Sequence, residues 1–278
     1  MSRELDPGDA LQCVPHFGNA RVTARLGGLS NRSFMVERGG ERFVLRLDAA
    51  HTDALCIDRE AELAALERAA ARDLGPAVVF ADADAGILLT RLLPGAPLDA
   101  AALEDASVLE RVADLLRLVH ALDPIGKPLR AAEIARAYYS RLPAEWRRQP
   151  AAAASLAVIE AQDTGSGLCI CHNDVNAANL IDGDRLRLVD WEYACDNEPL
   201  FDLAALCGFH ELGDAAVDIL LSAYTGGSTA AWRERLQGQR ARYDALCWLW
   251  FALRQTISPD AAIERRLDAL GGRLRRSG

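Results

Sequence analysis

The chain has 278 residues, 50% hydrophobic and 26% charged, enough to bury a substantial core as one large or two modest domains. Its formal net charge of −9 argues against a nucleic-acid surface, which needs an excess of Lys and Arg, and is compatible with a cationic small molecule. The opening Met1-Ser-Arg-Glu-Leu-Asp-Pro7 has no apolar signal segment, and no apolar run reaches the ~18 residues of a membrane span. A cytoplasmic protein without a membrane span is therefore expected.

In chain order, Arg21–Leu26, Ser33–Glu37 and Arg42–Leu47 are short β-type runs, with Gly39-Gly40 between the last two as a hairpin turn. Glu60–Leu74 has helical apolar spacing, and Gly75-Pro76 ends it. Ala77–Phe80 and Gly86–Thr90 are two further strands. After Leu93-Pro94-Gly95 the pattern turns helical, over Ala106–Leu122, Ala131–Arg141, Ala152–Gln162, Leu200–Glu211, Ala215–Tyr224, Ala230–Gln255 and Asp260–Arg275. One β island interrupts it, made of Leu168–Cys171, Asn179–Ile181 and Leu186–Val189. The expectation is an α+β architecture of two lobes, a small β-rich one over 1–93 and a larger, mainly helical one over 94–278. The seven cysteines are odd in number and scattered, and Cys169 and Cys171 alternate along an apolar strand rather than forming a metal pair, so they are read as reduced and structural.

The informative stretch is Leu168-Cys-Ile-Cys-His-Asn-Asp-Val-Asn-Ala-Ala-Asn-Leu-Ile181, followed by Leu186-Arg-Leu-Val-Asp-Trp-Glu-Tyr193. Each half is an apolar strand that delivers polar residues into a turn, where carboxylates commonly serve a site. Asp174, Asn179 and Asp190 match the inventory of phosphoryl transfer: a carboxylate for the attacking hydroxyl, and oxygen ligands for Mg²⁺. The H-x-D-x-x-x-x-N spacing of His172, Asp174 and Asn179, with Asp190 in a D-x-E turn, resembles the protein-kinase-like superfamily. More narrowly it resembles choline/ethanolamine kinases and aminoglycoside phosphotransferases. The resemblance implies a kinase-like fold that uses ATP and Mg²⁺, with Asp174 as catalytic base and Asn179 and Asp190 as metal ligands. It also implies that His172 braces the loop, and that Asp202 in Phe201-Asp-Leu-Ala ties the loop down, a role compatible with a first-turn acid.

By the same resemblance the first lobe holds ATP. Leu26-Gly-Gly-Leu-Ser-Asn-Arg-Ser33 offers Gly28, Ser30 and Asn31 as a phosphate loop. Arg46 stands where kinases usually show Lys; it keeps the charge and can fork onto phosphate oxygens. Glu60 and Glu62 both qualify as its acidic partner, and Glu60 is preferred. Leu88-Leu-Thr-Arg-Leu-Leu-Pro-Gly95 resembles a hinge strand for adenine.

For the acceptor, His-Asn-Asp at 172–174, with Asn where aminoglycoside enzymes usually have Gly, is similar to choline kinases. So are the Asp190-Trp-Glu-Tyr-Ala194 turn and a late helix with Trp248, Phe251 and Gln255 at i, i+3 and i+7. These imply a small cationic alcohol, choline or ethanolamine, bound by Glu192, Trp248, Phe251 and Gln255, the aromatic faces supplying cation–π contacts. Aromatics at this spacing equally suit a helix core. Thiamine kinases and aminoglycoside phosphotransferases are the alternative enzymes, and a non-catalytic ATP-binding pseudokinase is the alternative from another class. His120, on a helix, is read as a satisfied structural histidine.

Overall fold

The computed structural model describes residues 5–28, 30–49, 52–161, 167–227 and 229–277, without the side chains of residues 53, 276 and 277. Leu29 of the expected phosphate loop, Gln162 at an expected helix end and the first four residues lie outside the described residues. The first half runs α1 (Pro7–Cys13), β1 (Arg21–Leu26), β2 (Asn31–Arg38), β3 (Glu41–Asp48), α2 (Arg59–Ala71), β4 (Val78–Asp82), β5 (Ile87–Arg91) and β6 (Ala96–Pro97). There follow α3 (Ala106–His120), α4 (Ala131–Arg141), α5 (Ala144–Arg147), α6 (Pro150–Glu160), β7 (Cys169–Cys171), β8 (Leu180–Asp182), β9 (Leu186–Leu188) and β10 (Cys195–Asn197). The chain ends with α7 (Leu200–Phe209), α8 (Asp214–Thr225), α9 (Ala230–Ile257) and α10 (Ala261–Ser277).

These elements form two compact units, Met1–Pro97 with Leu180–Tyr193, and Leu98–Asn179 with Ala194–Gly278. In the first, β1 to β5 make an antiparallel sheet in the order β1-β2-β3-β5-β4. Gly39 and Gly40, both with positive φ, close the β2–β3 hairpin across the Arg38–Glu41 pair, as its two-residue loop demands. Alternation along β3 sends Phe43, Leu45 and Leu47 into a core shared with Leu11 and Val14 of α1 and with Phe34, Val36, Ile87 and Leu89. Arg46 and Asp48 therefore leave the opposite face, where α2 lies across them through ion pairs to Glu62 and Arg59.

The expected single β island is split. β8 and β9 pair with β6 in the sheet unit, while β7 pairs with β10 in the helical unit. Close backbone approach decides this. A Cβ on Gly95 (φ +120) would sit 2.3 Å from the Asp182 carbonyl oxygen, and one on Gly183 2.4 Å from that of Pro94, so two glycines let the strands meet. The Leu188 N–H donates to the Leu74 carbonyl at 2.9 Å, and Trp191, 1% exposed, donates to Leu188 O at 3.0 Å.

In the helical unit α7 is buried along nearly its whole length, Leu200 to Gly208, as an all-round apolar helix must be. α9 packs against α7, α6 and α10, and α3 against α8. Among the described residues no helix is long and apolar enough to cross a membrane. None of the seven cysteines is joined in a disulfide.

Candidate active site

In the helical unit, β7 ends at Cys171 and releases the loop that carries His172, Asp174 and Asn179. Asn173 sits at φ +63, a left-handed conformation that favours glycine and is next best tolerated by asparagine. Its side chain holds it there. Nδ2 donates to the Cys171 carbonyl at 3.3 Å, and Oδ1 accepts from Asn197 Nδ2 at 2.8 Å. The residue between His172 and Asp174 thus answers a backbone requirement that Gly or Asn meets, which removes it as a guide to substrate.

Asp202, 0% exposed in the first turn of α7, accepts the backbone N–H of His172 at 2.9 Å and of Asn173 at 2.6 Å. His120 Nε2 lies 3.0 Å from the same carboxylate. A donating Nε2–H leaves Nδ1 to accept the Tyr224 hydroxyl at 2.8 Å, and burial pushes the Tyr224 phenol up, keeping it a donor. His172 is itself fully buried. Asp174 is half-buried, and Asn179 Nδ2 donates both to its carboxylate at 3.1 Å and to its carbonyl at 2.9 Å. The Asn179 amide oxygen accepts no hydrogen bond among the described residues, which leaves a hard oxygen donor of the kind Mg²⁺ takes. His210, which no local motif announces, accepts the Ala177 N–H through Nε2 at 2.9 Å. Burial, then the charge of Arg266, lowers its pKa and keeps that nitrogen unprotonated.

The three late-helix residues divide among different tasks. Trp248 is 1% exposed and packs 6.3 Å, centroid to centroid, from Trp146 of α5, so it is core and not pocket. Gln255 Oε1 accepts the Asp260 N–H at 2.9 Å just ahead of α10. Phe251 lines a hollow, with Phe209, Tyr243 and Cys247.

In the sheet unit, the acidic partner of Arg46 is Glu62, not Glu60. Arg46 Nη2 donates to Glu62 Oε2 at 2.9 Å, and Nη1 contacts Oε1. Glu62, 2% exposed, shares the inner face of α2 with Ala61, Ala65 and Leu66. Glu60 falls on the exposed side, its N–H capped by Asp58. Burial opposes both charges, yet each more than offsets it for the other. The guanidinium is held protonated above its usual value, helped by Glu192 and Asp190, and the carboxyl below its own, helped by Arg59. Arg59 ties the group together, donating to Glu62 at 2.8 Å, to Asp48 at 2.6 Å and to Asn31 Oδ1 at 2.8 Å.

Glu192, expected on the substrate side, turns into this network instead. It accepts from Asn31 Nδ2 at 2.5 Å and from Ser30, and lies 3.5 Å from Arg59. Burial, then the charge of Asp190, pushes its carboxyl up to about 7 against the pull of Arg46 and Arg59. The side chains of Ser30 and Asn31 are thus occupied by Glu192, while Gly28 is exposed. Asp190 is exposed and has φ +65, a left-handed residue following a strand end, of a kind that clusters at functional sites.

An antiparallel sheet bearing a buried Arg–Glu pair, and a helical unit bearing an Asp–Asn loop pinned from below, define a small-molecule kinase of the kinase-like α+β fold. Residues 21–238 match the APH family of phosphotransferase enzymes, and the chain belongs to that family. It is 28% identical to the protein LicA of Haemophilus influenzae over 263 residues, 88% of this chain and 77% of that protein. Its fold is similar to that of a choline/ethanolamine kinase family protein from Mesorhizobium loti, with TM-score 0.73, 25% identity, and coverage of 96% of this chain and 91% of the other. The choline kinase LicA of Streptococcus pneumoniae shares the fold at TM-score 0.78 and 22% identity, over 92% of this chain and 94% of that one.

Proposed function

We propose that this phosphotransferase moves the γ-phosphoryl of ATP to the hydroxyl of a small amino alcohol of the choline/ethanolamine class. The observation that carries the reading is the loop geometry: a half-buried Asp174, oriented by Asn179, on a backbone that buried Asp202 holds by two N–H groups. Similarity to the choline/ethanolamine kinase family protein supports the acceptor class.

Asp174 orients the acceptor hydroxyl and takes its proton as the phosphoryl leaves ATP. Asn179 and Asp190 are the residues we assign to Mg²⁺, and the free amide oxygen of Asn179 suits that assignment. The metal, when bound, neutralises charge on the phosphates. Arg46 is the cation for the nucleotide phosphates, held straight by Glu62. Because the transition state is loose, positioning and electrostatics carry most of the acceleration.

The test is ADP release coupled to a reporter, with Mg-ATP against choline, ethanolamine, thiamine and kanamycin. Asp174→Asn should lower kcat by about 10²- to 10⁴-fold with an unchanged circular-dichroism spectrum, and Asp190→Ala should abolish turnover. A loss below about tenfold for Asp174→Asn would remove it as the base. Selectivity for thiamine or kanamycin would keep the kinase and replace the acceptor.

A further inference from the structure

The walls of the hollow beside α9 include Phe209, Tyr243, Cys247, Phe251, Arg266 and Arg273. Two observations join it to the catalytic loop. The charge of Asp174 reaches Tyr243 and Cys247, adding to the burial that pushes the Cys247 thiol up to about 12. His210, the neighbour of Phe209, holds the Ala177 N–H of that loop. An acceptor presented to Asp174 would have this hollow beside it.

Its charges are unequally spoken for. Arg273 is taken by Asp244, at 2.7 and 3.0 Å, and by Glu211 at 2.6 Å. Arg266 has no carboxylate partner among the described residues. Its guanidinium carbon sits 3.8 Å from the Phe209 ring centroid, and Nη1 donates to the Phe209 carbonyl at 3.3 Å. The protein's own cation covers the aromatic face that a substrate cation would use.

This bears unequally on the two amino alcohols. A quaternary ammonium has no N–H and depends on aromatic faces, so it must displace Arg266 or forgo Phe209. A primary ammonium donates three hydrogen bonds and can be held by carbonyl and carboxylate oxygens such as those of Glu211, whose side chain is 65% exposed. We infer that Arg266 is a specificity-determining residue, which biases the acceptor hollow toward primary amino alcohols and against quaternary ones. The inference rests on the amino-alcohol reading above.

The experiment measures kcat/KM for ethanolamine and for choline in the wild type, Arg266→Gln and Arg266→Lys. The wild type should favour ethanolamine by about tenfold or more, the scale of one lost cation–π contact. Arg266→Gln should shift the ratio toward choline at least about fivefold, mainly through the KM of choline. Arg266→Lys, which keeps a cation over the ring, should not. Tetramethylammonium chloride, which has no hydroxyl to phosphorylate, should inhibit the wild type weakly and Arg266→Gln more strongly. If Arg266→Gln does not fold, the wild-type ratio and tetramethylammonium inhibition decide. A wild type that prefers choline, strong inhibition of it by tetramethylammonium, or a ratio unmoved by Arg266→Gln would overturn the role of Arg266 and leave the amino-alcohol kinase intact. Phosphorylation of other alcohols but of neither amino alcohol would overturn the acceptor class itself.

Discussion

Replacing Asp202 by Ala removes the acceptor for two backbone N–H groups, at 2.9 and 2.6 Å, and for His120 Nε2 at 3.0 Å, from a position with no solvent exposure. A hydrogen bond to a charged group contributes about 1.5–3 kcal/mol, and two orphaned loop donors alone bring the loss to about 3–6 kcal/mol. Relief from burying a carboxylate offsets part of this, so a loss of about 3 kcal/mol is expected, a large share of the ~5–15 kcal/mol of a typical domain. Asp202→Asn keeps one acceptor oxygen but turns an N–H₂ toward a donor, and should cost about half as much. Urea unfolding followed by tryptophan fluorescence and circular dichroism reads the loss as a shift of midpoint; two units can unfold separately, so the midpoint is compared at equal slope. The kcat of both variants should fall with stability, because the same N–H groups set the course of the chain into Asp174. Combining Asp202→Ala with His120→Ala should show coupling of about 1 kcal/mol or more. If Asp202 were only a first-turn acid, the loss would be about 0.3–1 kcal/mol with kcat unchanged, and that result would refute the argument.

Trp248→Ala should cost about 3–5 kcal/mol as a buried aromatic truncation, read as a lowered urea midpoint, whereas Trp248→Phe should leave the amino-alcohol KM nearly unchanged; a KM rise above about tenfold in Trp248→Phe would return this residue to the pocket. His210 has a folded pKa below its unfolded value near 6.5, so its contribution is complete above about pH 6.5 and lost as pH falls through the lower folded pKa. The urea midpoint of the wild type should accordingly decline more steeply on acidification than that of His210→Gln, and parallel pH profiles would contradict this.

Much of the framework is legible along the chain because it is local. Gly39-Gly40 announces a hairpin since only residues tolerant of positive φ close a two-residue loop. The α3, α4 and α8 segments follow from apolar spacing, and the order of His172, Asp174, Asn179 and Asp190 brings the catalytic inventory into view. That spacing also placed Asp202 near the loop by resemblance, although the His120–Tyr224 chain beneath it joins residues 82 and 104 positions apart.

What the tertiary structure decided are choices between equivalent local options. Glu60 and Glu62 both begin α2, and only the side that faces β3 selects Glu62 for Arg46. Glu192 could have served any carboxylate task; Asn31 and Arg59, far away in sequence, draw it into the sheet unit. Trp248, Phe251 and Gln255 share helical spacing, yet Trp146, the hollow and Asp260 claim one each. β8 and β9 look like neighbours of β7 and join β6 instead, because Gly95 and Gly183 permit a backbone contact no periodicity reports. Periodicity and turn chemistry determine which face a residue occupies and where the chain bends. Which distant group meets that face depends on packing between elements, and from that packing come the partner of Arg46 and the cation over Phe209.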